Sequence, residues 1–328
     1  MIERRYIEFT TPESVEVVDD TVGAPGDDDV IISVHHAGIN RADLLQRMGL
    51  YPPPEDASPV PGLEVSGTVA ALGKNVSGFA IGDRICALTH GGGYASLAIA
   101  RADHCLPLPD SMTTEQGAAL PEALLTVWYN VFERGRLASG ETVLIHGGSS
   151  GIGSIGIQMA RTMGAIALST AGSSTRCAAA AKLGAQYVAN HREPDLLGQF
   201  SEAGYASNID VILDIAGGDL MQTNLDLAAQ DGRIVCIGVM RGMQSEINLA
   251  TVFMKRLTLT GSTLRRLETA ERARCFQSIR EHIWPAIING TITPIVDASY
   301  PLQKVLEAHQ HMQSGRHFGK LVLDCRLI

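Results

Sequence analysis

Val143-Leu-Ile-His-Gly-Gly-Ser-Ser-Gly-Ile-Gly-Ser-Ile-Gly156 is the stretch from which the fold of this 328-residue chain is read. The apolar run Val143 to Ile145 has the character of a buried strand, and Ile152 to Met163 that of a helix with small residues on one side. A glycine-rich turn joins them. Strand, glycine turn and helix together aim backbone N–H groups and a helix N-terminus at a pyrophosphate. Gly148 is expected to permit the tight turn, Gly151 to keep bulk off the phosphates, and Gly153 and Gly156 to let the helix lie close on its strand. Ser150 stands where the G-x-G-x-x-G fingerprint has its second glycine, so the motif is a variant. Alone, it also fits a plain Gly/Ser loop between core elements.

The flanking pattern decides between these readings. Strand-like runs recur at 142–146, 165–169, 186–189, 210–214, 233–237 and 257–261, with helical patterns at 152–163, 175–183, 220–228 and 249–255. Six buried strands with crossovers predict a doubly wound parallel sheet. Residues before about 120 read differently, as a β-rich domain with strands at 30–38, 65–73 and 83–88, a short helix at 39–49 and a rigid Tyr51-Pro-Pro-Pro54 loop. A longer helix, 124–134, leads into the glycine turn. After Gly261 come two helices, 270–288 and 301–314, and a last strand, 320–324, of the earlier β-rich type. The expected organisation is therefore one discontinuous β-rich domain (1–121 and 262–328) with a dinucleotide-binding domain (122–261) inserted in it.

Composition bounds the function. With 45% hydrophobic and 19% charged residues, the chain reads as a soluble globular protein. A net charge of −9 without a basic stripe argues against a nucleic-acid partner. No apolar run approaches a membrane span, and Met1-Ile-Glu-Arg-Arg5 lacks a signal-peptide core. The six cysteines are scattered without a C-x-x-C pair, which predicts reduced thiols in a cytoplasmic protein.

The end of the second strand distinguishes NAD from NADP. An NAD enzyme places an acidic residue there, about 20 residues past the glycines, for the ribose hydroxyls. Ser169-Thr-Ala-Gly-Ser-Ser-Thr-Arg176 contains none, whereas Ser173, Ser174 and Arg176 suit a 2′-phosphate. NADPH is the expected cofactor.

The sequence resembles the zinc-free, zeta-crystallin-like quinone oxidoreductases of the medium-chain dehydrogenase/reductase superfamily, most of all the p53-inducible type. The likeness rests on Ala37-Gly-Ile-Asn-Arg-Ala-Asp-Leu-Leu-Gln-Arg-Met-Gly-Leu-Tyr-Pro-Pro-Pro54, Pro61-Gly-Leu-Glu-Val-Ser-Gly-Thr-Val69, Gly78-Phe-Ala-Ile-Gly-Asp-Arg-Ile85, Glu122-Ala-Leu-Leu-Thr-Val-Trp128, the glycine turn and Gly319-Lys-Leu-Val-Leu323. It implies an α/β fold with a GroES-like β-rich catalytic domain and a doubly wound Rossmann domain. It also implies NADPH-dependent hydride transfer to a quinone or other conjugated carbonyl in the cleft between domains. By this likeness Asn40 and Tyr51 face nicotinamide and substrate, and Thr126 lies at the nicotinamide end of the linking helix. Gly148, Ser149, Ser150, Gly151, Ile152 and Gly153 form the pyrophosphate turn, with Gly172, Ser173 and Arg176 at the 2′-phosphate. Gly238, Val239 and Leu264 pass the nicotinamide, and Lys320 joins the cofactor-binding set. His191 stands where many relatives carry a tyrosine near the adenosine phosphate, and an imidazole retains a donor there.

The alcohol-dehydrogenase branch of the superfamily binds catalytic zinc through a Cys, a Gly-His-Glu motif and a second Cys. Here Asn40 replaces the first ligand and Leu63 replaces the histidine of Gly62-Leu-Glu64, so no metal site is expected. Without metal, hydrogen bonding must polarise the acceptor. Tyr51 is the candidate donor and Asn40 the candidate positioning group; the alternatives are a rim aromatic that shapes the cleft and an ordinary helix N-cap. Protons from water would also serve a reduced quinone.

Tyr300-Pro-Leu-Gln-Lys304 formally fits the Tyr-x-x-x-Lys pair of short-chain dehydrogenases. Pro301 favours a helix start there, however, which leaves Tyr300 outside the helix. An alkenal or enoyl C=C reductase on the same fold is the nearer alternative, and a cofactor-binding regulatory or structural protein the more distant one. The apolar strand 256–261, at the sheet edge, resembles the family's dimer-forming element and predicts a homodimer.

Overall fold

Charged residues alternating with apolar ones along residues 2–22 build an antiparallel hairpin, β1 (Ile2–Thr11) and β2 (Ser14–Val22). In this computed structural model, which describes residues 1–326 and 328, they are followed by β3 (Asp29–Gly38) and α1 (Arg41–Arg47). Strands β4 (Glu64–Leu72), β5 (Arg84–Leu88), β6 (Leu97–Arg101) and β7 (Cys105–Pro107) precede α2 (Thr114–Gly117) and α3 (Pro121–Val127). The alternating half follows. It runs β8 (Thr142–Ile145), α4 (Gly151–Thr162), β9 (Ile166–Ala171), α5 (Ser174–Lys182), β10 (Tyr187–Asn190) and α6 (Leu196–Glu202). It continues with β11 (Ile209–Asp214), α7 (Leu220–Leu227), β12 (Ala228–Cys236), α8 (Leu249–Met254) and β13 (Thr258–Gly261). The last elements are α9 (Thr269–His282), α10 (Trp284–Ile288), β14 (Val296–Pro301), α11 (Val305–Gln313) and β15 (Lys320–Asp324).

Two units result, Met1–Ala123 with Arg265–Ile288 and Pro294–Ile328, and Leu124–Leu264 with Asn289–Thr293. In the first, a seven-stranded sheet has the order β14-β15-β3-β4-β5-β7, with β6 also paired to β3. All pairings are antiparallel except β14 with β15. Ile32, Val34, Val65, Ile85, Leu321 and Leu323 fill its core. Burying each such side chain is worth about 1.5–3 kcal/mol. This unit is the GroES-like domain.

The second unit is the expected doubly wound sheet, six parallel strands in the order β10-β9-β8-β11-β12-β13. The order reverses between β8 and β11, the switch point beside which α/β sheets bind ligands. Thr293 belongs here because Gln158 of α4 grips its backbone twice, Thr293 N–H donating to Oε1 (2.9 Å) and Nε2 donating to the Thr293 carbonyl (3.0 Å).

Several local expectations change. The helix read over 124–134 is α3 followed by a wider π-helical turn, Trp128–Arg134, in which the Asn130 amide bonds back to the Thr126 carbonyl (2.9 Å). Residues 296–301 form β14 rather than opening a helix, and the helix begins only at Val305. Tyr300 lies outside that helix, as expected, on a strand, and bonds through its hydroxyl to His311 Nδ1 (2.9 Å). The hairpin β1–β2 and α6 were not expected. Among the described residues, no helix is long and apolar enough to cross a membrane.

One buried polar chain ties α11 to α1. The Tyr94 hydroxyl donates to Asp43 Oδ2 (3.1 Å) and lies 3.2 Å from His309 Nε2, which is therefore its donor. Burial pushes His309 down to about 3, with Arg47 adding repulsion. Burial pushes Asp43 up to about 6, against the Asn40 N–H and Tyr94 hydroxyl bonds that favour its charge. The two act oppositely on stability. Because His309 is depressed when folded, its contribution is complete above pH 6.5 and is lost on acidification toward pH 3. Because Asp43 is raised, its contribution is complete below pH 3.8 and is lost as pH climbs to about 6. Replacing His309 with Gln, which keeps a donor for Tyr94, should remove the histidine's share of acid sensitivity, about 2 kcal/mol between pH 6.5 and 5. Urea midpoints across that range check this; equal slopes in wild type and variant would refute it.

Candidate active site

In the first unit, polar groups from four elements meet at a fully buried carboxylate. Glu64 opens β4 with no exposed surface. Its Oε1 accepts from Lys320 Nζ (2.5 Å) and Asn40 Nδ2 (2.9 Å), and its Oε2 accepts the Glu122 N–H (2.9 Å) at the start of α3. Lys320, the first residue of β15, also donates to Asn40 Oδ1 (2.6 Å) and lies 4.0 Å from the Glu122 carboxylate. Gly38, at the end of β3, leaves the space: a Cβ there would strike the Glu64 carboxylate and the Ala118 carbonyl. Burial opposes the Lys320 charge, yet Glu64 and Glu122 outweigh it and the net shift of its pKa is upward. The ammonium stays charged.

Asn40 is thus oriented at both ends of its carboxamide, oxygen toward Lys320 and nitrogen toward Glu64. Its backbone N–H donates to Asp43 Oδ2 (2.8 Å), which fixes the start of α1. Tyr51 follows the same helix, its N–H bonded to the Leu45 carbonyl (3.3 Å). The Arg265 guanidinium lies over the Tyr51 ring, 4.6 Å from its centroid. The pair His35-His36 offers no comparable site; His36 Nδ1 pairs with the Thr114 hydroxyl (2.8 Å), and burial lowers the pKa of both rings.

In the second unit, the residues expected at the cofactor gather along one edge. Because all six strands run parallel, the loops after β8, β9, β10, β12 and β13 open on the same side. They carry the glycine turn, Gly172 to Arg176, His191, Gly238-Val239 and Leu264. Thr126 is buried in α3 of this unit, with its carbonyl taken by Asn130.

The glycines divide their work differently from the expectation. Gly147, not Gly148, carries the positive φ of +75° that the turn requires. Gly148 is needed for closeness, since a Cβ there would overlap the Ser169 hydroxyl on β9. At Gly153 a Cβ would strike the Gly147 carbonyl, and at Gly156 it would come within 2.9 Å of Ile145. Ser150 caps α4 by accepting the Gly153 N–H on its hydroxyl (2.9 Å). First-turn N–H groups of Gly151 and Ile152 have no carbonyl partner within the helix, as in any helix N-terminus. The turn is braced from behind: Gly147 N–H donates to the Thr170 hydroxyl (3.2 Å), which bonds His146 Nδ1 (3.1 Å), and His146 Nε2 meets Asn224 Oδ1 (2.8 Å). Thr170, His146 and Asn224 carried no motif signal.

Beyond β9, a Cβ on Gly172 would lie 3.2 Å from His191 Nε2 and 3.3 Å from Arg192 Nε. Ser173 caps α5 by accepting the Arg176 N–H (3.3 Å). Burial lowers the His191 pKa, and His146, Arg192, Arg241 and Arg176 repel its protonated form further. Arg176, Arg192 and Arg241 bring positive charge near His191, and Glu193 is turned back onto Asn190 Nδ2 (2.8 Å). The braced turn and the α4 N-terminus are an arrangement that can hold a pyrophosphate.

Comparison with known proteins agrees with both units. The alcohol dehydrogenase GroES-like domain model matches residues 26–110, and the zinc-binding dehydrogenase model matches residues 151–279. A rat (Rattus norvegicus) protein named quinone oxidoreductase is 32% identical over 322 residues, covering 97% of this chain and 96% of that one. The chain belongs to the zeta-crystallin-like quinone oxidoreductases of the medium-chain dehydrogenase/reductase superfamily. The Escherichia coli quinone oxidoreductase solved in complex with NADPH superposes on this family member with a TM-score of 0.84 at 29% identity, covering 98% of this chain and 99% of that chain. A polyketide synthase subunit of Mycobacterium tuberculosis is 30% identical over 302 residues, which are 92% of this chain and 14% of that protein.

Replacing Lys320 with Met in this oxidoreductase would leave the buried Glu64 carboxyl without its cation. A loss of about 3–5 kcal/mol in urea unfolding is expected, with partial recovery when Glu64→Gln is added. A loss under about 1 kcal/mol would show that the pair does not hold this region together.

Proposed function

We propose that this family member is an NADPH:quinone oxidoreductase that works without zinc. The observation that carries the reading is the Lys320–Glu64–Asn40 cluster. Where the alcohol-dehydrogenase branch coordinates its metal, this chain sets a buried ammonium against the oxygens of Glu64 and Asn40. Leu63 supplies no ligand atom, and among the described residues no group of three or more His, Cys, Asp or Glu side chains is placed to hold a metal ion. The chain must then polarise an acceptor by hydrogen bonding.

When bound, the reduced nicotinamide supplies the hydride. Ser150, Gly151 and Ile152 hold the pyrophosphate at the α4 N-terminus, with Gly148, Ser149 and Gly153 shaping the turn. Ser173, Arg176 and His191 hold the 2′-phosphate, and Thr126, Gly238, Val239 and Leu264 border the nicotinamide. Asn40, locked by Lys320 and Glu64, orients nicotinamide or substrate, so Lys320 acts through Asn40. Tyr51 donates a hydrogen bond from its hydroxyl to the acceptor oxygen. The balance is quinone plus NADPH plus one proton giving hydroquinone plus NADP⁺, the proton coming through Tyr51 or from water.

Anaerobic stopped-flow oxidation of NADPH and NADH by 1,4-benzoquinone and 9,10-phenanthrenequinone tests this directly. Saturable oxidation preferring NADPH is expected, with Arg176→Ala costing roughly tenfold in the NADPH KM and little in that for NADH. Binding of NADPH without reduction of either quinone would remove the quinone reading. An alkenal panel then decides between a C=C reductase and a cofactor-binding protein without turnover.

The proposal includes a homodimer. Strand β13 pairs with β12 on one side only, and Thr258, Leu259 and Gly261 are exposed. A free edge of this kind invites pairing with a second copy. Light scattering at micromolar concentration should give twice the 34.9 kDa chain mass, and a monomer would overturn the assignment. A cytoplasmic location also belongs to the proposal, supported by six cysteines without a disulfide.

A further inference from the structure

We propose that Arg265 is a positioning residue that aims Tyr51 at the acceptor, an inference that rests on the donor role given to Tyr51 above. The loop after α1 has little to hold it from within, because Pro52, Pro53 and Pro54 carry no N–H. Across the three prolines it can be held only by carbonyls and side chains. Arg265 Nη1 donates to the Tyr51 carbonyl (2.9 Å) while the same guanidinium lies over the Tyr51 ring at 4.6 Å. Its Nη2 donates to Gln46 Oε1 (2.5 Å), and Gln46 Nε2 donates to the Pro59 carbonyl (2.8 Å) at the far end of the loop. One cation thus grips backbone and ring of the same residue and, through Gln46, the other end of the loop.

The clamp is itself supported. Arg265 is 8% exposed, and its carbonyl accepts from Arg272 Nη2 (3.0 Å). Arg272 Nη1 faces His90 Nδ1 (3.2 Å), and the His90 carbonyl accepts the Ser58 N–H (3.0 Å). The loop and the clamp close on each other. A planar fork is required, because a lysine cannot cover the ring and reach two oxygens at once. With the Tyr51 ring and carbonyl both held by the guanidinium, its hydroxyl is held in one direction before an acceptor arrives.

A double-mutant cycle on the full-length protein tests this. Arg265→Gln should lower kcat with 1,4-benzoquinone about tenfold, with the NADPH KM within twofold of wild type. Tyr51→Phe should cost a similar factor, and the double variant should be no slower than either single one. Arg265→Lys should behave like Arg265→Gln; full activity in the lysine variant would mean that charge alone matters and would overturn the clamp. Multiplying losses in the double variant would also overturn it, since Arg265 would then act apart from Tyr51. Hydrogen exchange gives a readout independent of turnover. The Ala57 and Ser58 amides, bonded to the Pro54 and His90 carbonyls, should exchange at least tenfold faster in Arg265→Gln but not in Tyr51→Phe, and unchanged exchange refutes the clamp. Faster exchange combined with full activity of Tyr51→Phe would instead remove the donor role from Tyr51 and leave the clamp standing.

Discussion

The first unit depends on one buried ion pair, Lys320 with Glu64. An isolated charge at either position would be prohibitive, since each costs several kcal/mol to strip of water. The fold meets that constraint from several directions at once. The α3 N-terminus supplies an N–H, α1 begins with a carboxamide that bonds both ions, and β3 ends in a glycine that keeps clear of the carboxylate. A pair satisfied this completely specifies where each contributing element must start or stop. Asn40 inherits its orientation from that requirement.

The second unit solves a different problem, how to bring backbone close to a charged ligand without filling the space with side chains. Its answer is distributed over adjacent glycines with separate tasks. Gly147 turns the chain, Gly148 passes β9, and Gly153 passes the turn itself. Ser150 replaces a glycine at no evident steric cost because its hydroxyl folds back to cap α4. Behind the turn, the Thr170–His146–Asn224 chain joins it to β9 and α7. Neutral histidine serves best in that chain, and burial, the largest influence on His146, lowers its pKa.

What the residues disclose in order follows from how local the signal is. The central parallel strands β8, β9 and β11 were legible because strands covered on both faces read as continuous apolar runs. The GroES-like half was legible mainly through its resemblance, and β1–β2 escaped because only Ile7 and Val22 along the hairpin are buried. The tight-turn role was assigned one glycine too late, because G-x-G-x-x-G spacing does not reveal which glycine takes positive φ. The switch from α- to π-helical turns after Val127 leaves no apolar periodicity to read. Glu64 was visible only as part of a motif, and its partner Lys320 only as part of another. Nothing short of the folded sheet brings them together, and the same holds for Arg265 and Tyr51.

The position of β15 carries a consequence for how the molecule is made. Lys320 and Asn40, 280 positions apart, meet only when the last strand enters between β14 and β3. A ribosome adding roughly 5–20 residues per second releases the whole second unit before that strand exists. For those seconds the β3 edge that β15 covers is unpaired over His36–Gly38 and Glu64 lacks Lys320, while the parallel sheet can already close from contiguous chain. Nascent chains therefore offer chaperones the open end of β3 until residues 320–324 have been made and have paired with it.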